Sequence, residues 1–183
     1  MANTAIFLAN GFEEIEALTV VDILRRAQIG ITTVSITGSK SVEGSHGIKV
    51  EADETFDNYE FGNTDMIILP GGMPGTKNLD ACVPLKNKIE EFNNSGKMLA
   101  AICAAPTVYG KMGLLNGKRA CCYPGCEGDL IGASVSTDPV TKDGNIITSR
   151  GMGTAIEFAL AILENFKGKE AAQQMAKAIV YKA

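Results

Sequence analysis

Residues 65–76 read DMIILPGGMPGT. Met66 to Leu69 is an unbroken apolar run, too short for a helix and apolar at both alternating positions, so it predicts a strand covered on both faces. The run stops at Pro70-Gly71-Gly72, a turn signal. Strands of this kind belong to parallel sheets with helices on each side, so one segment already restricts the fold class to α/β.

The flanking sequence repeats the theme. Upstream, TAIFLA (4–9) is a second short apolar run, stopped by Asn10-Gly11. EEIEALTVVDILRRAQ (13–28) has helical spacing at Ala17, Val20, Val21 and Leu24, and its acidic start and basic end suit the helix dipole. ITTVSI (31–36) and GIKVEAD (47–53) predict further strands. Downstream, a helix is expected over Lys86–Asn94, a strand over KMLAAI (97–102) and a helix over Ala104–Met112, where Pro106 is tolerated in the first turn. KRACCY, ASVST and NIITS read as strands, TAIEFALAILENF (154–166) as a strongly periodic helix, and residues 169–180 as a last helix. With no repeat, low-complexity tract or linker, one domain over 1–183 is expected.

In a parallel sheet, every strand-to-helix loop opens at the carboxyl edge, where ligands bind. ANGFEEIE, LPGGMPGT and ICAAP are three such loops, so a carboxylate cluster, a glycine turn and Cys103 are expected to converge. Cys103 ends the buried run LAAIC just before a helix, the strand–turn–helix arrangement of a nucleophile elbow. A thiol there is expected to have a lowered pKa. A packed cysteine is the alternative reading. Glu16 is in register with Val20, Ile23 and Ala27, which turns it inward; a buried carboxyl holds its proton more tightly and could bond the sulfur or act as acid and base. Glu13 and Glu14 are accounted for by the helix dipole.

PGGMPGTKN lacks the order of a phosphate loop, but its paired glycines could offer amides to an oxyanion. His46 is the sole histidine, so any Cys–His couple must use it, although its glycine-flanked position also suits a solvated turn. Arg26 could bind an anion or pair with Asp22 four residues earlier. Arg150 could bind an anion or pair with a carboxylate.

Composition narrows the function classes. A net charge of −4 without a basic block offers no nucleic-acid footprint. No apolar stretch approaches the roughly 20 residues of a membrane helix. The start, MANTAIFLANGFEE, has no basic lead, so a cytoplasmic protein is expected. Cys82, Cys103, Cys121, Cys122 and Cys126 are then read as reduced thiols, and CCYPGC (121–126), without a nearby histidine or second close-spaced pair, is not read as a metal site.

Taken together, GFEEIEA, VDILRRA, ILPGGMPG, AAICAAPT and ITSRGMGTAIEFALAILE…GKEAA resemble the ThiJ/PfpI superfamily over nearly the whole chain. They are especially similar to the branch that holds the parkinsonism-associated deglycase and its bacterial relatives. The resemblance implies a flavodoxin-like three-layer sandwich, a homodimer and no cofactor. It implies a nucleophilic, oxidation-sensitive Cys103 with a protonated Glu16 partner and backbone amides from Gly72 and Ala104. The implied activities are conversion of methylglyoxal to lactate without glutathione, repair of glycated protein, and redox-regulated protection. Animal members carry an arginine at the position of His46 and a histidine at that of Tyr123, so Tyr123 is a possible substrate contact that cannot act as an imidazole base. The protease-like branch has a histidine after its cysteine; Ala104 stands there instead, which argues against peptidase activity.

Overall fold

Alternate residues of the central strands feed two separate cores, as the two-residue period of a strand requires. The computed structural model describes residues 2–182. Strands β1 (Asn3–Leu8), β2 (Gly30–Ser35), β6 (Met66–Leu69), β7 (Met98–Ile102) and β11 (Ile146–Ser149) form the middle of a seven-stranded sheet. Its edges are β5 (Glu54–Thr55) and β10 (Val140–Asp143), giving the order β10-β11-β7-β6-β1-β2-β5. All pairings are parallel except β10 with β11.

Ile6, Leu8, Met66, Ile68, Ala100, Ile102 and Ile147 face helices α1 (Glu14–Arg26) and α5 (Ala155–Ala178). Ala5, Phe7, Ile67, Leu69, Leu99, Ala101 and Ile146 face α2 (Gly75–Ala81), α3 (Val83–Asn94) and α4 (Pro106–Lys111). Every residue of Met66–Leu69 is buried, so the apolar run reads as it should for a strand covered twice. The fold is the flavodoxin-like sandwich expected from the sequence. No helix among the described residues is long and apolar enough to cross a membrane.

Some elements differ from expectation. The 47–53 stretch contributes only β4 (Lys49–Glu51), which pairs antiparallel with β3 (Ser41–Glu43) in a hairpin outside the main sheet. KRACCY and ASVST shrink to β8 (Arg119–Ala120) and β9 (Ser134–Val135), a separate parallel pair that stops before the cysteines. Ala104 and Ala105 form a turn, so α4 begins at Pro106. The helices expected over 154–166 and 169–180 meet at Gly168, whose left-handed φ of 84° breaks α5.

The strand order places the chain's change of direction between β1 and β6. Helix connections leave the sheet on opposite faces there, and the loops after β1, β6 and β7 share one crevice at the carboxyl edge.

Candidate active site

Cys103 follows β7 and adopts φ 65°, a left-handed conformation that side chains other than glycine seldom occupy. Two main-chain bonds hold it there: its amide donates to the Ser149 carbonyl at 3.0 Å, and its carbonyl accepts from the Tyr123 amide at 2.7 Å. Strain of this kind persists only where neighbours impose it, and it turns the thiol out of the sheet edge.

Glu16, one turn into α1 and 1% exposed, stands beside that thiol, both side chains closing on Gly71. Its Oε2 also accepts the Gly71 amide at 2.9 Å. The Gly72 and Ala104 amides point at the Cys103 sulfur. Cys103, Glu16, Gly72 and Ala104, drawn from three separate loops, therefore come together as the loop rule predicted. Gly71, singled out only as half of a turn, is the contact between them. A Cβ built on it would stand 2.5 Å from the Cys103 Cβ and 2.6 Å from Glu16 Oε2, so only glycine fits.

Burial pushes the Glu16 carboxyl up to about 7, against the bonds it accepts from Cys103 and Gly71. Burial and the charge of Glu16 push the Cys103 thiol up to about 12, against the Ala104 and Gly72 amides. The lowered thiol expected from the helix N-terminus is thus corrected: α4 has only six residues, too few for a strong dipole, and a buried carboxylate lies in contact. The pair titrates as a unit. When its remaining proton sits on Glu16, the repulsion vanishes and a thiolate faces two amides and a carboxyl donor.

His46 does not couple to Cys103. Its Nδ1 lies 2.9 Å from Glu14 Oε2 and 3.6 Å from Glu13 Oε2, and its amide donates to Glu14 Oε1 at 2.8 Å. Burial opposes ionisation of Glu14, but the His46 ring and the His46 and Ile48 amides outweigh it and hold the carboxyl near 2. Glu14, 4% exposed, is therefore more than a dipole charge: it pins the turn after β3 to the helix that carries Glu16. A side chain at Gly44 would run into that carboxylate. Among the described residues, Glu13, Glu14 and His46 are the one trio of potential metal-ligating side chains whose donor atoms cluster within 4.8 Å. Glu14 is already engaged there by His46 and Ser45.

Arg26 takes the second of the two roles open to it, the ion pair with Asp22. Ten residues beyond Glu16 along α1 is about 15 Å at the helical rise, and its guanidinium is paired with Asp22 at 2.7 Å. Within this chain it does not reach Cys103, because it lies at the far end of the helix. Arg150 follows β11 and makes a loose 3.5 Å bond to the Thr137 carbonyl. Tyr123 is bound to Cys103 through its main chain, while its ring is half exposed and stands against Gly151. The Ser149 carbonyl is a site component without a sequence signal, since any residue supplies one.

A flavodoxin-like sheet bearing a cysteine on a strained strand-to-helix turn, with a buried glutamate beside it, defines a class of cysteine proteins rather than one protein. The DJ-1/PfpI family model matches residues 2–165, and the chain belongs to that family. It is 37% identical over 177 residues to protein dj-1beta of Drosophila melanogaster, covering 96% of this chain and 95% of that one. It is 38% identical over 175 residues to protein DJ-1 homolog B of Arabidopsis thaliana, covering 94% of this chain but spanning only 40% of that protein's length. A relative from Caenorhabditis elegans named glutathione-independent glyoxalase DJR-1.2 is 31% identical over 166 residues, covering 90% of this chain and 88% of the relative. Among solved structures, a mutant of a DJ-1 superfamily protein from Salmonella typhimurium superposes with a TM-score of 0.95 at 32% identity, over 100% of both chains. Toxoplasma gondii DJ-1 in an oxidised form gives 0.95 at 33% identity, again over 100% of both.

Proposed function

We propose that this protein is a cofactor-independent cysteine enzyme that converts small reactive carbonyls, with methylglyoxal to lactate as the reference reaction. The observation that carries this reading is the buried Glu16 carboxyl set beside the Cys103 thiol at Gly71, with the Gly72 and Ala104 amides beside the sulfur. The glyoxalase name of the nematode relative supports the same chemistry in the family.

The Cys103 sulfur adds to the aldehyde carbon, and the carbonyl oxygen takes a proton, giving a hemithioacetal. Glu16, poised near 7, then takes the proton from the former aldehyde carbon and returns it to the neighbouring carbon through an enediol. The Gly72 and Ala104 amides steady the oxygen charge. The product is a lactoyl thioester on Cys103, which water hydrolyses to lactate and free thiol. Glycated protein presents related carbonyl adducts and is the second substrate class. We place the enzyme in the cytoplasm and propose a homodimer as its working form.

The test is lactate production from methylglyoxal without glutathione. Cys103→Ala and Glu16→Ala should each abolish it, whereas wild-type rates in both variants would overturn the reading.

A second reading is favoured by the oxidised Toxoplasma relative. Cys103 would record peroxide as a sulfinate whose oxygens accept from Glu16 and the two amides. Selective addition of two oxygens at Cys103 under mild peroxide, without carbonyl turnover, would favour this sensor role.

A further inference from the structure

Away from the Glu16–Cys103 pair, the densest set of nucleophiles is Cys121, Cys122 and Cys126, all free thiols. They are not equivalent. Cys121 turns toward β11: its amide donates to Thr148 Oγ1 at 3.0 Å, and its sulfur lies 3.6 Å from the same hydroxyl. Cys122 belongs instead to the apolar layer under α2, α3 and α4, and Cys126 packs against that same layer.

The chain between them doubles back. The Cys126 amide donates to the Tyr123 carbonyl at 3.0 Å, and Gly125 supplies the left-handed φ of 94° that the bend requires. The Cys122 sulfur lies 3.4 Å from that same carbonyl oxygen. One oxygen is thus touched by the sulfur of Cys122 and the amide of Cys126, which places the Cys122 sulfur beside the backbone of Cys126. That turn draws its own end residues, Tyr123 and Cys126, to within about 7 Å, and Cys122, the residue before it, folds its sulfur back onto the same turn carbonyl. Cys122 is 3% exposed while Cys126 is partly exposed, so an oxidant meets Cys126 first and Cys122 is the sheltered partner.

We propose that Cys122 and Cys126 form a second redox site, which closes to a disulfide under peroxide while Cys121 remains a thiol. Peroxide transfers one oxygen to the Cys126 sulfur, giving a sulfenic acid and one water. The Cys122 sulfur then attacks: the S–S bond forms, the S–O bond breaks, and hydroxide leaves with the Cys122 proton as a second water. The two thiols lose two electrons, and peroxide gains them. Burial and the Glu127 carboxylate hold both thiols above their ordinary range. Closure is therefore slow near neutrality and quickens as pH rises, and the closed bond, with poor leaving groups, resists reduction.

The test uses the full chain carrying Cys103→Ser, so that peroxide does not react at that sulfur. After hydrogen peroxide, the protein is unfolded, alkylated without reductant and digested with trypsin, and the peptide covering 120–142 is sequenced by mass spectrometry. The expected peptide is lighter by two hydrogens before labelling and carries the alkyl group on Cys121 alone. Closure should run roughly tenfold or more faster at pH 9 than at pH 7. Alkylation of all three cysteines, a bond that engages Cys121, or a sulfinate on Cys126 beside an alkylated Cys122 would each overturn the proposal. Adding Cys126→Ser, a partly exposed position that the fold should tolerate, must leave Cys121 and Cys122 both alkylated; closure persisting in it would equally count against the assignment.

Discussion

Gly71 lies directly against Cys103, so close that a Cβ on the glycine would stand 3.0 Å from the Cys103 sulfur. Its amide simultaneously holds Glu16 Oε2 at 2.9 Å. Gly71→Ala should therefore push sulfur and carboxyl apart while leaving the sheet intact. We expect methylglyoxal turnover to fall by about 100-fold, the effect of an ångström-scale misplacement. Unchanged turnover in a folded Gly71→Ala protein would contradict the geometry.

The left-handed backbone of Cys103 predicts an unusual ranking of two inactive variants. Cys103→Gly removes the conformational cost and Cys103→Ala keeps it, so the glycine protein should be the more stable by about 1 kcal/mol. Urea titration of the two measures this; at an ordinary strand position the order would be reversed.

Glu16 makes stability depend on pH. Its folded value of about 7 lies above the ordinary 4.5, so the folded chain keeps a proton that the unfolded chain releases between those values. Its contribution is complete below 4.5 and is lost as pH rises through about 7, on the order of 3 kcal/mol in all. Glu16→Gln should flatten that decline in a set of denaturation curves between pH 4.5 and 8, and should lower turnover by roughly 100-fold or more.

Glu14 runs the opposite way. Its folded value of about 2 lies below the ordinary 4.5, so its contribution is present above 4.5 and disappears as pH falls toward 2. Glu14→Gln should cost about 1 kcal/mol at neutral pH, since a charge-assisted bond is lost beside a solvated partner. Hydrogen exchange should quicken first at the His46 and Ile48 amides, which face that carboxylate.

The central strands were legible because burial on both faces is written locally, as in Met66–Leu69 and Met98–Ile102. Helix α2 was not legible: it buries only Gly75, Thr76 and Leu79, which leaves no apolar period to detect. Edge strand β10, Val140–Asp143, shows one apolar residue in four. At the site, the loop rule and helical spacing together brought Cys103 and Glu16 to one place. They could not reveal that the hairpin of Ser41–Glu51 closes over Glu14, because that contact joins distant segments. For Arg26 the i,i+4 spacing to Asp22 already held the answer, an ion pair at the end of α1 away from Cys103. The direction of the thiol shift depended on a carboxyl in contact, which spacing alone does not supply.

The nucleophile's posture is set by main-chain partners, the Ser149 carbonyl and the Tyr123 amide, which any residue at 149 and any residue but proline at 123 would supply. These two bonds do not draw on the side chains of residues 149 and 123. Residue 123 can be tyrosine here and another residue elsewhere while the thiol keeps its aim. Chemistry can drift at such a site, with new contacts tried around a fixed sulfur, because changing the surroundings does not require rebuilding the turn.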